Sequence, residues 1–200
     1  VTIVNVGYRS TNYWVISAGP NRLLVDIGWP GMFGTRKANL TRMGIPLAEL
    51  RYALATHYHI DHAGAAEELK RAGVPLLVLD IQVAAIPLMK TWTKPHDHYL
   101  EITPKGNVVI TFAHSRARLK QIGFAGEIVP TPGHSDHCVS LLLDDGAVFT
   151  GDLPPEACAF DNPVALATWQ FLRARGATRI YPAHGPIRAI DDLPAEPPTE

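Results

Sequence analysis

The alternation of apolar and polar positions predicts short strands early in the chain, at residues 1–6, 12–18 and 22–26, parted by turns containing Gly or Asn. A partly apolar, mobile loop is expected from Asp26 to Gly34, followed by helical residues 35–43 and 47–50. Residues 51–55, Arg-Tyr-Ala-Leu-Ala, read as a buried strand that stops at Thr56. The spacing then predicts a helix over 64–71 that turns Ala66 and Leu69 inward and Glu67, Glu68 and Lys70 outward. A strand fits 76–79. Residues 80–125 are the least regular; they predict one helix near 81–89, another near 113–121, and a polar-aromatic loop over 91–105. In the second half strands fit 127–130, 138–143, 147–150 and 178–181, with a helix over 163–175. Strands precede helices twice over, which places helices outside two sheets. No linker divides the halves, so residues 1–190 read as a single domain and 191–200 as a Pro-rich, acidic tail.

Composition narrows the function classes. The 200 residues are 46% apolar and 18% charged with a net charge of -1, enough for a substantial core and against global disorder. No Lys/Arg stripe is present, so extended nucleic acid is not an expected partner. No apolar run approaches a membrane span, so a membrane is not expected either. The first residues do not read as a signal peptide. Two cysteines, Cys138 and Cys158, make no disulfide framework; they are expected to be small buried hydrophobes, and a reducing cytoplasm is the simplest location.

The chemistry concentrates in Thr56-His57-Tyr58-His59-Ile60-Asp61-His62, where a strand ends and a helix begins. Four of six consecutive positions are potential metal ligands. In a turn, side chains one, two and four apart can converge, which a regular strand or helix does not allow. Three later islands also end predicted strands beside Gly: Pro132-Gly133-His134, Thr150-Gly151-Asp152 and Ala183-His184-Gly185. Strand ends are where a layered α/β protein gathers its site.

With these islands the chain resembles the metallo-β-lactamase superfamily, from about Val4 to Ile190: His-x-His-x-Asp-His, then His, Asp and His in that order. The likeness is nearer to the glyoxalase II and lactonase branch than to true β-lactamases, although no Tyr follows closely behind Asp152. It implies an α/β fold in four layers, an αβ/βα sandwich of two mixed sheets with outer helices. It implies two metal sites, His57, His59 and His134 in one and Asp61, His62 and His184 in the other, with Asp152 bridging. Asp26 either matches the family's early Asp, which supports the ligand loop, or is an ordinary strand-end turn residue. The cofactors expected are two divalent metal ions. Zinc fits the cysteine-free N/O donor set best, and iron and manganese are compatible with it.

Three neutral imidazoles leave a cation its full charge, which acidifies water strongly. The expected function is therefore a metal-dependent hydrolase that attacks a small ester, lactone or thioester with a metal-bridging hydroxide. Asp61 is the catalytic proton carrier as well as a ligand. The alternatives are a phosphodiesterase or nuclease for a small phosphodiester, a mononuclear iron persulfide dioxygenase, and a metal-stabilised binding protein. A small molecule is the expected partner, and the oligomeric state is left open, a dimer included. Candidate substrate contacts are Trp29, Met32 and Phe33 on the loop after Asp26, Trp92 in the insert Trp92–Tyr99, and His137 beside Cys138. Arg116 and Arg118 are expected on a solvated helix face.

Overall fold

The computed structural model describes residues 1–192; most of the expected tail, residues 193–200, lies outside the described residues. Eleven strands are described: β1 (Thr2–Asn5), β2 (Trp14–Ala18), β3 (Asn21–Val25), β4 (Leu50–Leu54), β5 (Leu76–Leu79), β6 (Asn107–Ile110), β7 (Gly126–Pro130), β8 (Val139–Leu143), β9 (Ala147–Gly151), β10 (Arg179–Pro182) and β11 (Arg188–Ala189). Five helices accompany them: α1 (Phe33–Arg42), α2 (Ile60–Ala63), α3 (Ala66–Arg71), α4 (Phe112–Gln121) and α5 (Pro163–Ala174).

The strands form two mixed sheets. The first has the order β1-β2-β3-β4-β5-β6 and the second β11-β10-β9-β8-β7. β3 through β6 run parallel, as do β9 and β10, while the hairpins β1-β2-β3 and β7-β8-β9 are antiparallel.

Period-two alternation sorts the side chains into layers. Trp14, Ile16, Leu23, Val25, Leu54, Leu77 and Leu79 face Val139, Leu141, Leu143 and Phe149 between the sheets. The intervening residues Val15, Leu24, Ala53, Leu76 and Val78 pack outward on Leu40, Ala66 and Leu69. On the far side Val129, Leu142, Val148 and Ile180 pack on Trp169 and Leu172 of α5. Central strands buried on both faces read as near-continuous apolar runs. The result is the four-layer αβ/βα sandwich. Among the described residues no helix is long and apolar enough to cross a membrane.

Several expectations are corrected. The helix expected near 81–89 is replaced by 3-10 turns at Asp80–Gln82 and Ile86–Trp92. The buried Gln82 amide donates to the Ala55 and Thr56 carbonyls at 3.0 and 3.3 Å, and Pro87 supplies no N–H to an α-helical ladder. Strands β6 and β11, of four and two residues, were not expected. The helix expected over 64–71 begins at Ala66, and a further short helix, α2, that was not expected precedes it; between them the Ala65 N–H donates to the Gly28 carbonyl at 2.7 Å. Glu67 is buried, not outward: it accepts the Thr103 N–H at 3.0 Å and pairs with Lys70 at 2.9 Å. The loop after Asp26 is tied down, with Glu68 accepting the N–H groups of Gly31 at 2.6 Å and Phe33 at 3.3 Å. Cys138 is buried as expected, but Cys158 is exposed on the turn Glu156–Cys158.

Candidate metal centre

The parallel strands fix where the polar islands meet. β3 ends just before Asp26, β4 leads into Thr56 and His57, β9 ends just before Asp152, and β10 ends two residues before His184. His134 hangs from the β7–β8 connection at the same edge. Asp26 adopts φ 61, a left-handed conformation that carboxamide and carboxylate residues tolerate better than most. Its side chain turns back under the site: Oδ1 accepts the Thr56 N–H at 2.8 Å and the Thr56 hydroxyl at 2.9 Å, and Oδ2 faces His62 Nδ1 at 3.0 Å.

All seven expected ligands are brought together. Donor atoms of His57, His59 and His134 lie within 4.8 Å of one another, as do those of His57, His62 and Asp152, and those of Asp61, His62 and His184. His134 Nε2 faces His59 Nδ1 at 3.1 Å. Asp152 Oδ2 is 3.8 Å from His57 Nε2, 3.7 Å from His134 Nε2 and 3.2 Å from His62 Nε2, while Oδ1 is 3.4 Å from His184 Nε2. Asp61 Oδ2 lies 3.4 Å from His62 Nε2 and 3.3 Å from His184 Nε2. The edge of a tetrahedron with metal–nitrogen bonds of 2.0–2.1 Å is about 3.3 Å, so these spacings suit ligands around cations.

The donor chemistry fits as well. His57 Nε2, His62 Nε2 and Asp152 Oδ1 are buried with no hydrogen-bond partner among the described residues. Buried polar atoms left unpaired are costly and rare, and a cation is the partner such lone pairs would take. The outward nitrogens are engaged, which aims the inward ones. His57 Nδ1 donates to the Thr56 hydroxyl at 3.2 Å, His62 Nδ1 to Asp26, and His184 Nδ1 to the Ser10 carbonyl at 2.8 Å.

Electrostatics agree. Burial first, then the neighbouring His62, holds His57 well below its usual pKa, so it is neutral with a free lone pair. Burial and surrounding imidazoles lower His59 in the same direction. Burial also lowers His134. Burial opposes a charge on His62, but Asp26, Asp152 and Asp61 outweigh it and raise its pKa well above the ordinary value. The cluster thus favours positive charge at its centre. Burial opposes ionisation of Asp61 and Asp152, yet their contacts with His62 prevail, lowering Asp152 and bringing Asp61 to about 2.

The β1–β2 connection, absent from the sequence reading, braces this edge. Thr11 Oγ1 donates to Asp61 Oδ2 at 3.4 Å. Asn12 Nδ2 donates to the carbonyls of Pro182 at 3.0 Å and Gly185 at 2.9 Å. Nothing local in the sequence marks these residues, because Thr11 meets a side chain 50 positions away and Asn12 meets backbone carbonyls 170 or more positions away.

A cavity of about 640 Å³ opens beside His134, Asp152 and His184. The expected substrate contacts do not line it. Trp29 and Met32 border a void of about 10 Å³ with Tyr13 and Arg36, and Phe33 packs on the core. Trp92 is 69% exposed. His137 Nε2 accepts the Tyr58 N–H at 3.4 Å, so its imidazole braces the ligand loop. On α4, Arg116 lies on the solvated face but pairs with Asp144 at 2.8 Å.

Comparison with known proteins follows the same lines. The sequence pattern of the metallo-beta-lactamase superfamily matches residues 6–184, and the chain belongs to that superfamily. It is similar to an atrochrysone carboxyl ACP thioesterase of Aspergillus fumigatus, 30% identical over 94% of this chain and 40% of that protein. It is also similar to the beta-lactamase-like protein 2 homolog of Caenorhabditis elegans, 27% identical over 90% of this chain and 57% of the other. The chain spans about half the length of these curated relatives, from 40% to 57%. Among solved structures, BLEG-1 B3 metallo-beta-lactamase superposes with a TM-score of 0.72 at 20% identity, covering 94% of this chain and 93% of that one. TTHA1623, solved in a di-iron-bound form, superposes with a TM-score of 0.71 at 22% identity, covering 95% of each chain. At such identities the likeness is one of fold.

Proposed function

We propose that this chain is a dinuclear metal-dependent hydrolase of a small ester, thioester or lactone. The observation that carries the reading is the ring of seven His and Asp side chains, three of whose buried polar atoms have no partner among the described residues. His57, His59 and His134 would hold one divalent cation, Asp61, His62 and His184 the second, and Asp152 would touch both. Bound there, the cations, zinc fitting best, would supply Lewis acidity and an acidified water.

The chain's own groups do the rest. Asp61, its carboxyl near 2, is ionised at every working pH and orients a water proton. Thr11 holds that carboxylate from outside. The water oxygen bonds to the acyl carbon, the carbon–oxygen or carbon–sulfur bond breaks, and the water proton passes to the leaving group. A thioester is supported by the relative named as a thioesterase.

The test is metal content per chain after purification without added metal, followed by an ester, thioester, lactone and phosphodiester panel. About two divalent ions per chain are expected, with hydrolysis of an acyl substrate that falls by roughly a hundredfold or more in His134→Ala and Asp152→Ala. Full activity in either variant, or a single iron with no hydrolysis, would overturn the reading. Turnover of phosphodiesters alone would move the assignment to a phosphodiesterase.

A further inference from the structure

The 640 Å³ cavity beside Asp152 and His184 is of a size that takes a small molecule. Leu153, Pro155, Pro182 and Pro186 supply apolar walls, and Arg188 is the one Lys or Arg among its described lining residues.

Arg188 is held in place with no direct ion pair among the described residues, although Asp192 lines the same cavity and Glu156 lies in its field. Its guanidinium sits over the Trp169 ring, 5.4 Å from the centroid. Its one protein hydrogen bond among the described residues runs from Nη1 to the Asp192 carbonyl, a long 3.5 Å. The carboxylates around it are engaged elsewhere. Glu156 accepts Arg173 at 3.1 and 2.5 Å, and Asp191 accepts Arg173 at 3.3 Å. Asp192 Oδ2 accepts the Ala189 N–H at 3.1 Å. Arg188 is half-buried, and burial lowers its pKa against the opposing pull of Glu156 and Asp192, the mark of a cation partly removed from solvent. An arginine in this state presents a planar fork of donors suited to a carboxylate.

We infer that Arg188 determines specificity: the cavity takes a substrate whose free carboxylate sits on the Arg188 guanidinium, whose apolar segment lies against Leu153 and the prolines, and whose scissile acyl group lies at Asp152 and His184. The substrate class is thus a half-ester or half-thioester of a dicarboxylic acid. This rests on the hydrolase reading above and adds a requirement for a negative charge at the far end.

Two measurements on the metal-loaded protein test it. The first is kcat/KM for a glutaryl monothioester against its neutral methyl ester. Wild type should prefer the charged substrate roughly 10- to 100-fold, and Arg188→Gln should cut that ratio at least tenfold, chiefly through KM. Arg188→Lys, which keeps charge but not the fork, should fall between. A ratio unchanged in Arg188→Gln, or charged and neutral substrates falling equally, overturns the inference. The second is binding of glutarate by calorimetry, which needs no turnover. Glutarate should bind wild type about tenfold or more tighter than Arg188→Gln, and equal binding, or binding of inorganic phosphate in preference to glutarate, overturns the inference. If neither thioester is hydrolysed by protein carrying two metals while glutarate binds through Arg188, the hydrolase reading fails and the anion site stands.

Discussion

Asp26 Oδ2 lies 3.0 Å from His62 Nδ1, while Oδ1 of the same carboxylate holds the Thr56 backbone and hydroxyl. One left-handed residue therefore orients a candidate ligand and anchors the loop that carries two more. Asp26→Asn keeps a carbonyl for one contact and removes the charge. It should weaken metal affinity about 10- to 100-fold, read by chelator competition. Unchanged affinity would mean that His62 is oriented by something else.

The clamp from Asn12 to Pro182 and Gly185 holds the segment bearing His184. Asn12→Ala should free that segment and weaken the Asp61, His62 and His184 group more than the His57, His59 and His134 group. Under limiting chelator, metal content should fall from two ions toward one while the fold persists, with a stability loss of about 1–2 kcal/mol. Simultaneous loss of both ions would contradict this division.

Gly151 has φ 58, and a Cβ there would stand 2.3 Å from Thr56 Oγ1. Thr56 is buried and braced by Asp26, so it cannot retreat. Gly151→Ala should cost about 2–4 kcal/mol in urea unfolding. Gly176→Ala, at φ 86 with nothing within 4 Å, isolates the backbone contribution and should cost about 1 kcal/mol. Equal costs would show that the contact with Thr56 is unimportant.

Metal-depleted protein should lose stability in acid in a defined window. His57, His59 and His134 have pKa values lowered from 6.5, so they stabilise the fold above that value and cost stability as pH falls below it. His62 is shifted the other way: its contribution is complete below 6.5 and is lost only as pH rises. Asp61 and Asp152 are depressed below 3.8 and begin to cost stability only near and below that value. Chemical denaturation midpoints should therefore fall between about pH 6.5 and 4. A flat profile across that range would contradict the buried, neutral assignment.

The sandwich and the seven-residue ring were legible in the sequence because both are written locally. Leu23-Leu24-Val25 and Leu76-Leu77-Val78-Leu79 are short apolar runs, four candidate ligands crowd into Thr56–His62, and the other three each sit beside a Gly at a strand end. The residues that brace the ring were not legible. Ser10 acts through its carbonyl, Asn12 looks like any turn residue, and their partners lie at the other end of the chain. Arg188 was hidden for the same reason, since only folding brings it to the cavity and to Trp169. Residues 80–92 misled because Leu, Ile and Ala favour a helix, whereas Gln82 and Pro87 hold the backbone in tighter turns. β6 was overlooked because four residues at a sheet edge, with Val109 exposed, carry little periodic signal.

The ring draws its donors from strand ends of both sheets, so cations seated in it would rivet the two β-layers together. At a free metal concentration a hundred times the dissociation constant, each ion adds about 2.7 kcal/mol against unfolding. The lifetime of this protein would then track the metal supply around it: durable where zinc is plentiful, and prone to proteolysis where a competing chelator takes the rivets away.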